Sequence, residues 1–131
     1  MPVSNFLHLP AVVHLAISLR PHRVLDIGIG LGTYGFMIRQ FSDIAAGRLS
    51  KTEWSTVIDG IEIFETYRNP IWEYYYDQVF IGDAKTILPT LDKYDVVLCN
   101  DVLEHFDLAD AAALLSVWGS SASDVWYDAF A

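Results

Sequence analysis

The sequence predicts an α/β domain built on a parallel sheet, and three observations carry that prediction. Short, unbroken apolar runs alternate along the chain with stretches whose apolar residues recur at helical spacing. The runs lack the in-out alternation of a half-exposed strand, as suits strands buried on both faces. The first run, Val24-Leu25, leads directly into Asp26-Ile27-Gly28-Ile29-Gly30-Leu31-Gly32, a turn on three alternating glycines placed before a helical stretch. Repeated strand-helix order of this kind gives parallel neighbours joined by crossovers.

The elements follow in order. Phe6, Leu9, Val12, Val13, Ala16 and Leu19 have helical spacing, with Pro10 marking the start of the regular helix and Pro21 ending it. Residues 23–27 form the first strand, and the glycine turn then opens a helix over 34–46, stopped by Gly47. A polar segment precedes the second strand, 56–63, with Glu62 near its carboxyl end. Pro70 suits the first position of an aromatic helix over 69–76. Residues 78–81 make a third strand, 84–91 a short helix interrupted at Pro89, and 94–100 a fourth strand. Asp107 is read as the N-cap of a last helix ending at Gly119. Residues 120–124 are read as a loop and 125–130 as a fifth strand; without that strand the fourth would be an open apolar edge, which proteins cover.

At 131 residues the chain accommodates one domain, 1–131, and its 53% hydrophobic content suits a folded core. Seventeen acidic against eight basic residues give a formal charge of −9, which opposes binding to a phosphate backbone, and the basic residues form no run. Nucleic acid is therefore not the expected partner. The single cysteine, Cys99, lies inside an apolar run and reads as a buried small hydrophobe. No stretch reaches the ~20 apolar residues of a membrane span and no leader pattern opens the chain, so a cytoplasmic protein is expected.

Three alternating glycines beside a helix start, needed where φ turns positive or a Cβ would collide with a bound molecule, would let backbone approach a ligand closely, with helix amides facing it. A dinucleotide fingerprint, G-x-G-x-x-G, would put its third glycine at Thr33; the spacing here is instead Asp26-x-Gly28-x-Gly30-x-Gly32. That disfavours an NAD-linked oxidoreductase. An acid at Asp26 also suits a ligand carrying a cationic amino group better than a pyrophosphate. At these residues the chain resembles the class I S-adenosylmethionine-dependent methyltransferases. The resemblance implies a Rossmann-like sheet of order 3-2-1-4, extended by a fifth strand if residues 125–130 supply one. It also implies cofactor contacts at Asp26, Gly28, Gly30, Gly32, Glu62, Ile63, Asp83, Ala84 and Asn100. In that reading Glu62 accepts from the ribose diol, Asp83 meets the adenine amino group, and Asn100 lines the same pocket. Asp83 is equally suited to cap the helix that begins at Ala84.

Asn100-Asp101-Val102-Leu103-Glu104-His105-Phe106 resembles the D/E-x-x-E-H segment of small-molecule O-methyltransferases of the ubiquinone-biosynthesis type. The resemblance makes His105 and Glu104 the catalytic candidates, imidazole being the residue type suited to taking a proton from a hydroxyl near neutral pH. Asp101, Glu104 and His105 also stand at i, i+3 and i+4, so one helical face would carry oxygen and nitrogen ligands for magnesium. A metal site of that kind in an RNA-end methyltransferase family uses a further histidine downstream, and none follows His105. No metal ligand is therefore assigned. Tyr34, Tyr67 and the aromatic run from Trp72 to Tyr76 either border an acceptor site or pack in the core.

The resembling family has a seven-stranded sheet, whereas four or five strands are legible here. The chain is thus expected to be C-terminally incomplete as a methyltransferase, with a longer chain or a second copy covering the open edge. The expected activity is methyl transfer from S-adenosylmethionine to a small molecule. The alternative is a module that holds S-adenosylmethionine or S-adenosylhomocysteine without transferring methyl.

Overall fold

The computed structural model describes residues 6–127, with side chains described through Val117. Its strands are β1 (Arg23–Ile27), β2 (Val57–Glu62), β3 (Gln78–Ile81), β4 (Tyr94–Leu98) and β5 (Ala122–Tyr127). The helices are α1 (Leu9–Ser18), α2 (Thr33–Ser42), α3 (Pro70–Tyr75), α4 (Ala84–Ile87) and α5 (Leu108–Ser121). All strand pairs are parallel, in the order β3-β2-β1-β4-β5. The chain builds outward from β1 to β3 on one side and then resumes at β4 on the other. The strand order therefore switches beside β1, and in open α/β sheets a ligand crevice lies outside the carboxyl ends of the strands at such a point.

Each sheet face has its own core. Val24, Ile58, Val96 and Leu98 point into a cluster with Val12, Val13 and Ala16 of α1, Ile38 of α2, and Trp72 and Tyr76. Leu25, Ile27, Ile61, Val97 and Cys99 point the other way, onto Ala84, Leu88 and Leu114. The period-two alternation of each strand thus feeds two apolar layers. Pro10 lies in the first turn of α1, where a missing N–H leaves no helical bond unmade. Phe6 precedes that helix and is exposed, so the apolar face is shorter than its spacing predicts.

Several boundaries differ from expectation by a residue or two, β2 spanning Val57–Glu62 and β4 ending at Leu98. The helix read over 84–91 is Ala84–Ile87 followed by a 3-10 turn at Leu88–Thr90. Two other boundaries differ for a packing reason. The helix predicted over 34–46 stops at Ser42, and a separate 3-10 turn, Ile44–Ala46, leads to Gly47 in the left-handed conformation. Asp43 between them is drawn inward, where it accepts from Arg39, Arg48 and Ser55. The second difference lies at the end of α5, which runs past Gly119 to Ser121, so residues 120–124 are not a loop. The strand begins at Ala122 because the chain pairs at once with β4, Tyr94 opposite Ala122 and Val97 opposite Trp126. Residues 128–130 of the predicted strand lie outside the described residues. Among the described residues no helix is long and apolar enough to cross a membrane.

Candidate functional site

The carboxyl ends of β1, β2, β3 and β4 open into a cavity of about 530 Å³. That is within the roughly 300–1,000 Å³ range of small-molecule sites. Of the residues read as cofactor contacts, Gly28, Gly30, Glu62, Ile63, Asp83, Ala84 and Asn100 line it, as does His105, one of the two catalytic candidates. The structure does not bring Asp26, Gly32 or Glu104 to the cavity wall. It adds Thr33, Phe64, Val102 and Phe106, which the sequence reading missed, and it puts Tyr34 and Tyr67 on the wall as well. Phe64 and Phe106 adjoin assigned segments, and their position just past a strand-end acid and a histidine is the signal that marks them.

The glycine turn is shaped by what packs on it. Gly28 has φ +72, and a Cβ there would stand 2.3 Å from Val102 Cγ2, so only glycine allows the β4-α5 segment to lie against the turn. The turn amides are spent within the protein. Those of Gly28 and Ile29 donate to Ile61 O, Gly32 to Ile29 O, and Gly30 to Glu62 Oε2 at 2.8 Å. These four amides are not the free donors that the motif suggests; the turn offers a ligand close backbone surface instead.

Glu62 is buried, and its carboxylate holds more than one element in place. Oε1 accepts from Ile63 N at 2.9 Å and Phe64 N at 3.0 Å, while Oε2 takes the amide of Gly30. A carboxylate has about four lone-pair positions, so about one remains for a ligand donor. Asp83 caps α4 through Oδ1, which accepts from Lys85 N at 2.9 Å, while Oδ2 stands 3.8 Å from Lys85 Nζ. Asn100 is 4% exposed, and neither its amide nitrogen nor its oxygen has a hydrogen-bond partner. Buried polar groups are seldom left unpaired. Asn100 therefore marks a place on the wall where a donor and an acceptor await complementary groups.

Asp26 lies behind the turn. It shares the phase of Val24 along β1 and so points to the α1-α2-α3 face, where Tyr76 donates its hydroxyl to Asp26 Oδ2 at 2.7 Å. The Tyr76 hydroxyl in turn accepts from Gly35 N at 3.1 Å. A Cβ on Gly32, Gly35 or Gly60 would meet the Tyr76 ring at 3.3 Å or less, so these glycines make room for a side chain rather than for a ligand. Burial pushes the Asp26 carboxyl up to about 7, the Tyr76 hydrogen bond opposing the shift and the Glu62 charge adding to it. Trp72 reinforces the turn from the same face, its Nε1 donating to Gly30 O at 2.9 Å.

The proposed metal face does not form. Leu103–His105 is a 3-10 turn, and Asp101 lies before it with φ +54, so Asp101, Glu104 and His105 do not share one α-helical face. Among the described residues no group of three His, Cys, Asp or Glu side chains could hold a metal ion. His105 reaches the cavity wall from an exposed position, and Glu104 is exposed away from it.

No protein-family model and no curated protein matches this chain. Solved structures do. Magnesium protoporphyrin IX methyltransferase from Synechocystis, with bound SAH, superposes with a TM-score of 0.64 at 23% identity over 88% of this chain and 51% of its own. A methyltransferase from Geobacter sulfurreducens gives 0.69 at 15% identity over 94% and 58%. The SAH-bound methyltransferase of Podospora anserina gives 0.65 at 15% over 92% and 49%. The chain spans about half the length of these structures. Its parallel sheet, strand order and carboxyl-end cavity give it the fold of the class I S-adenosylmethionine-dependent methyltransferases.

Proposed function

We propose that this chain is an S-adenosylmethionine-dependent methyltransferase, or the cofactor-holding portion of one, acting on a small-molecule acceptor. The observation that carries the reading is the convergence of Glu62, Asp83 and the unpartnered Asn100 on one cavity, from the ends of β2, β3 and β4. Their chemistry fits a nucleoside. Glu62 has an acceptor position left for a hydroxyl, Asp83 Oδ2 is an acceptor for an amino group, and Asn100 supplies a donor and an acceptor. Asp26 serves by fixing the turn through Tyr76, not by touching the ligand.

S-adenosylmethionine, when bound, supplies an electrophilic methyl group on a sulfonium. His105 is the side chain on the cavity wall suited to take a proton from an acceptor hydroxyl, and positioning alone supplies much of the acceleration when reactants are held in line. The outward placement of Glu104 favours a second reading, in which the chain holds the cofactor and transfers nothing by itself. Calorimetric titration with S-adenosylmethionine, S-adenosylhomocysteine and NAD separates these from an oxidoreductase. Either sulfur nucleoside should bind and NAD should not; the reverse would overturn both readings. Release of S-adenosylhomocysteine in the presence of candidate hydroxyl compounds then distinguishes transfer from holding.

Asn100→Leu gives a two-sided test. Removing a buried unpaired amide should stabilise the ligand-free protein by about 1 kcal/mol, whereas binding of S-adenosylhomocysteine should weaken by about 1–2 kcal/mol, roughly tenfold. Urea denaturation and calorimetry read the two effects. A variant that binds as tightly as the parent would remove Asn100 from the site.

A further inference from the structure

At the opposite end of the sheet, where β1 and β2 begin, a second depression of about 380 Å³ is lined by Arg20, His22, Ser42, Arg48, Ser55 and Thr56 over an apolar base. No aspartate or glutamate lines it, although acidic residues outnumber lysine and arginine 17 to 8 in this chain. Arg48 is held in place there, its Nε donating to Asp43 Oδ1 at 2.7 Å and its second guanidinium nitrogen to Ser42 O at 2.9 Å. Asp43 is fully buried behind the wall, paired with Arg48 and with Arg39, which is shared with Asp77, so the uncompensated charge of the depression is that of Arg20. Asp95 accepts the backbone amides of His22 and Arg23 through Oδ2, and Asp77 accepts the amide of Ile58.

Arg20 is the unusual member. It follows the last turn of α1 with φ +49, its amide donating to Ile17 O at 3.1 Å, at a position where helices ordinarily place glycine. A side chain in the left-handed region costs free energy that glycine escapes. Among the described residues only Arg20 and Asp101 are non-glycine residues with positive φ, and Asp101 lines the other cavity. The Arg20 guanidinium forms no ion pair with any described residue, so its charge is available to the depression. Residues held in the left-handed region cluster at ligand-binding and active sites.

The geometry points to a binding site for a small oxyanion of the phosphate class, with Arg20 as its free charge and the Arg48 nitrogen bonded to neither Asp43 nor Ser42 as a second donor. Ser42 and Thr56 stand on the wall, the Ser55 hydroxyl being engaged by Asp43. Planar guanidinium forks match the oxygens of such an anion. The site is remote from the nucleoside cavity and does not depend on the function proposed for it.

Amide NMR of the full chain, titrated with inorganic phosphate at millimolar concentration, tests this directly. Shifts should cluster at Arg20, His22, Arg48 and Ser55 and spare Gly28 to Gly32. Arg20→Gly should raise the thermal midpoint in phosphate-free buffer by a few degrees while weakening phosphate by about tenfold or more. Arg20→Gln, which keeps the left-handed backbone but removes the charge, should lose the same affinity. The proposal is overturned if either variant binds phosphate like the parent, if the shifts map to the glycine turn, or if sodium chloride at matched ionic strength reproduces them.

Discussion

Arg39→Ala should cost the fold about 3–5 kcal/mol, because it removes one partner of a buried ion pair. Arg39 is fully buried on α2, and its guanidinium donates to Asp43, to Thr56 O, to Tyr75 O and to Asp77 Oδ2 at 2.8 Å. It also stacks on Trp54, 4.3 Å from the ring centroid. One side chain thus ties α2 to the start of β2 and to the α3-β3 junction. Its loss leaves Asp43 in the interior with Arg48 as its remaining cation, and leaves two carbonyl oxygens without that donor. For a domain stable by about 5–15 kcal/mol this is a large share of the total. Arg48→Ala, on the same carboxylate but with a side chain 34% exposed, should cost about 1 kcal/mol. Urea midpoints of the two variants measure the contrast, and equal small losses would show that the buried pair contributes little.

The second large effect is a pH dependence centred on Asp26. With its pKa pushed from 3.8 to about 7 by burial, the native state keeps a proton that the unfolded chain has already released. The unfolded state therefore binds fewer protons between those two values, and stability falls as pH rises through that window. Below the lower value the contribution is intact; above the upper one it is gone. Asp26→Asn keeps an oxygen to accept from Tyr76 and cannot ionise. It should be more stable than the parent at pH 8, by up to about 4 kcal/mol, and the advantage should vanish near pH 4. Denaturation curves at intervals across that range give the difference, and parallel profiles for the two proteins would refute the assignment.

Asp26 also shows where sequence reading reaches its limit. The strands were legible because short apolar runs, Val24-Leu25 in β1 and Val79-Phe80-Ile81 in β3, stand between helical stretches, and the observed bounds of both match those read from residue type. That Glu62, Asp83 and Asn100 reach the cavity wall was legible because a strand end can be located without knowing which way each side chain points. Asp26 was not placed by the same logic, because it shares the sheet face of Glu62 but stands further back along its strand, short of the cavity wall. Tyr76 holds it there, from 50 residues away. The metal face at Asp101, Glu104 and His105 failed for a related reason. Spacing of i, i+3 and i+4 has meaning only on an α-helix, and a left-handed Asp101 followed by a 3-10 turn removes that premise. Boundaries set by tertiary pairing, such as the start of β5 at Ala122, carry no local mark at all.

The carboxylate of Glu62, bonded to the amides of Gly30, Ile63 and Phe64, makes two walls of the cavity a single rigid joint. Little of the site's shape then has to be created when a ligand arrives, and the entropy of ordering those loops has already been spent in folding. Association should accordingly behave as entry into a finished socket, with a rate proportional to ligand concentration and no slow isomerisation of the turn. It also means that affinity cannot be tuned at position 62 without loosening the walls, whereas Asn100, bonded to neither wall, is free to vary with the ligand.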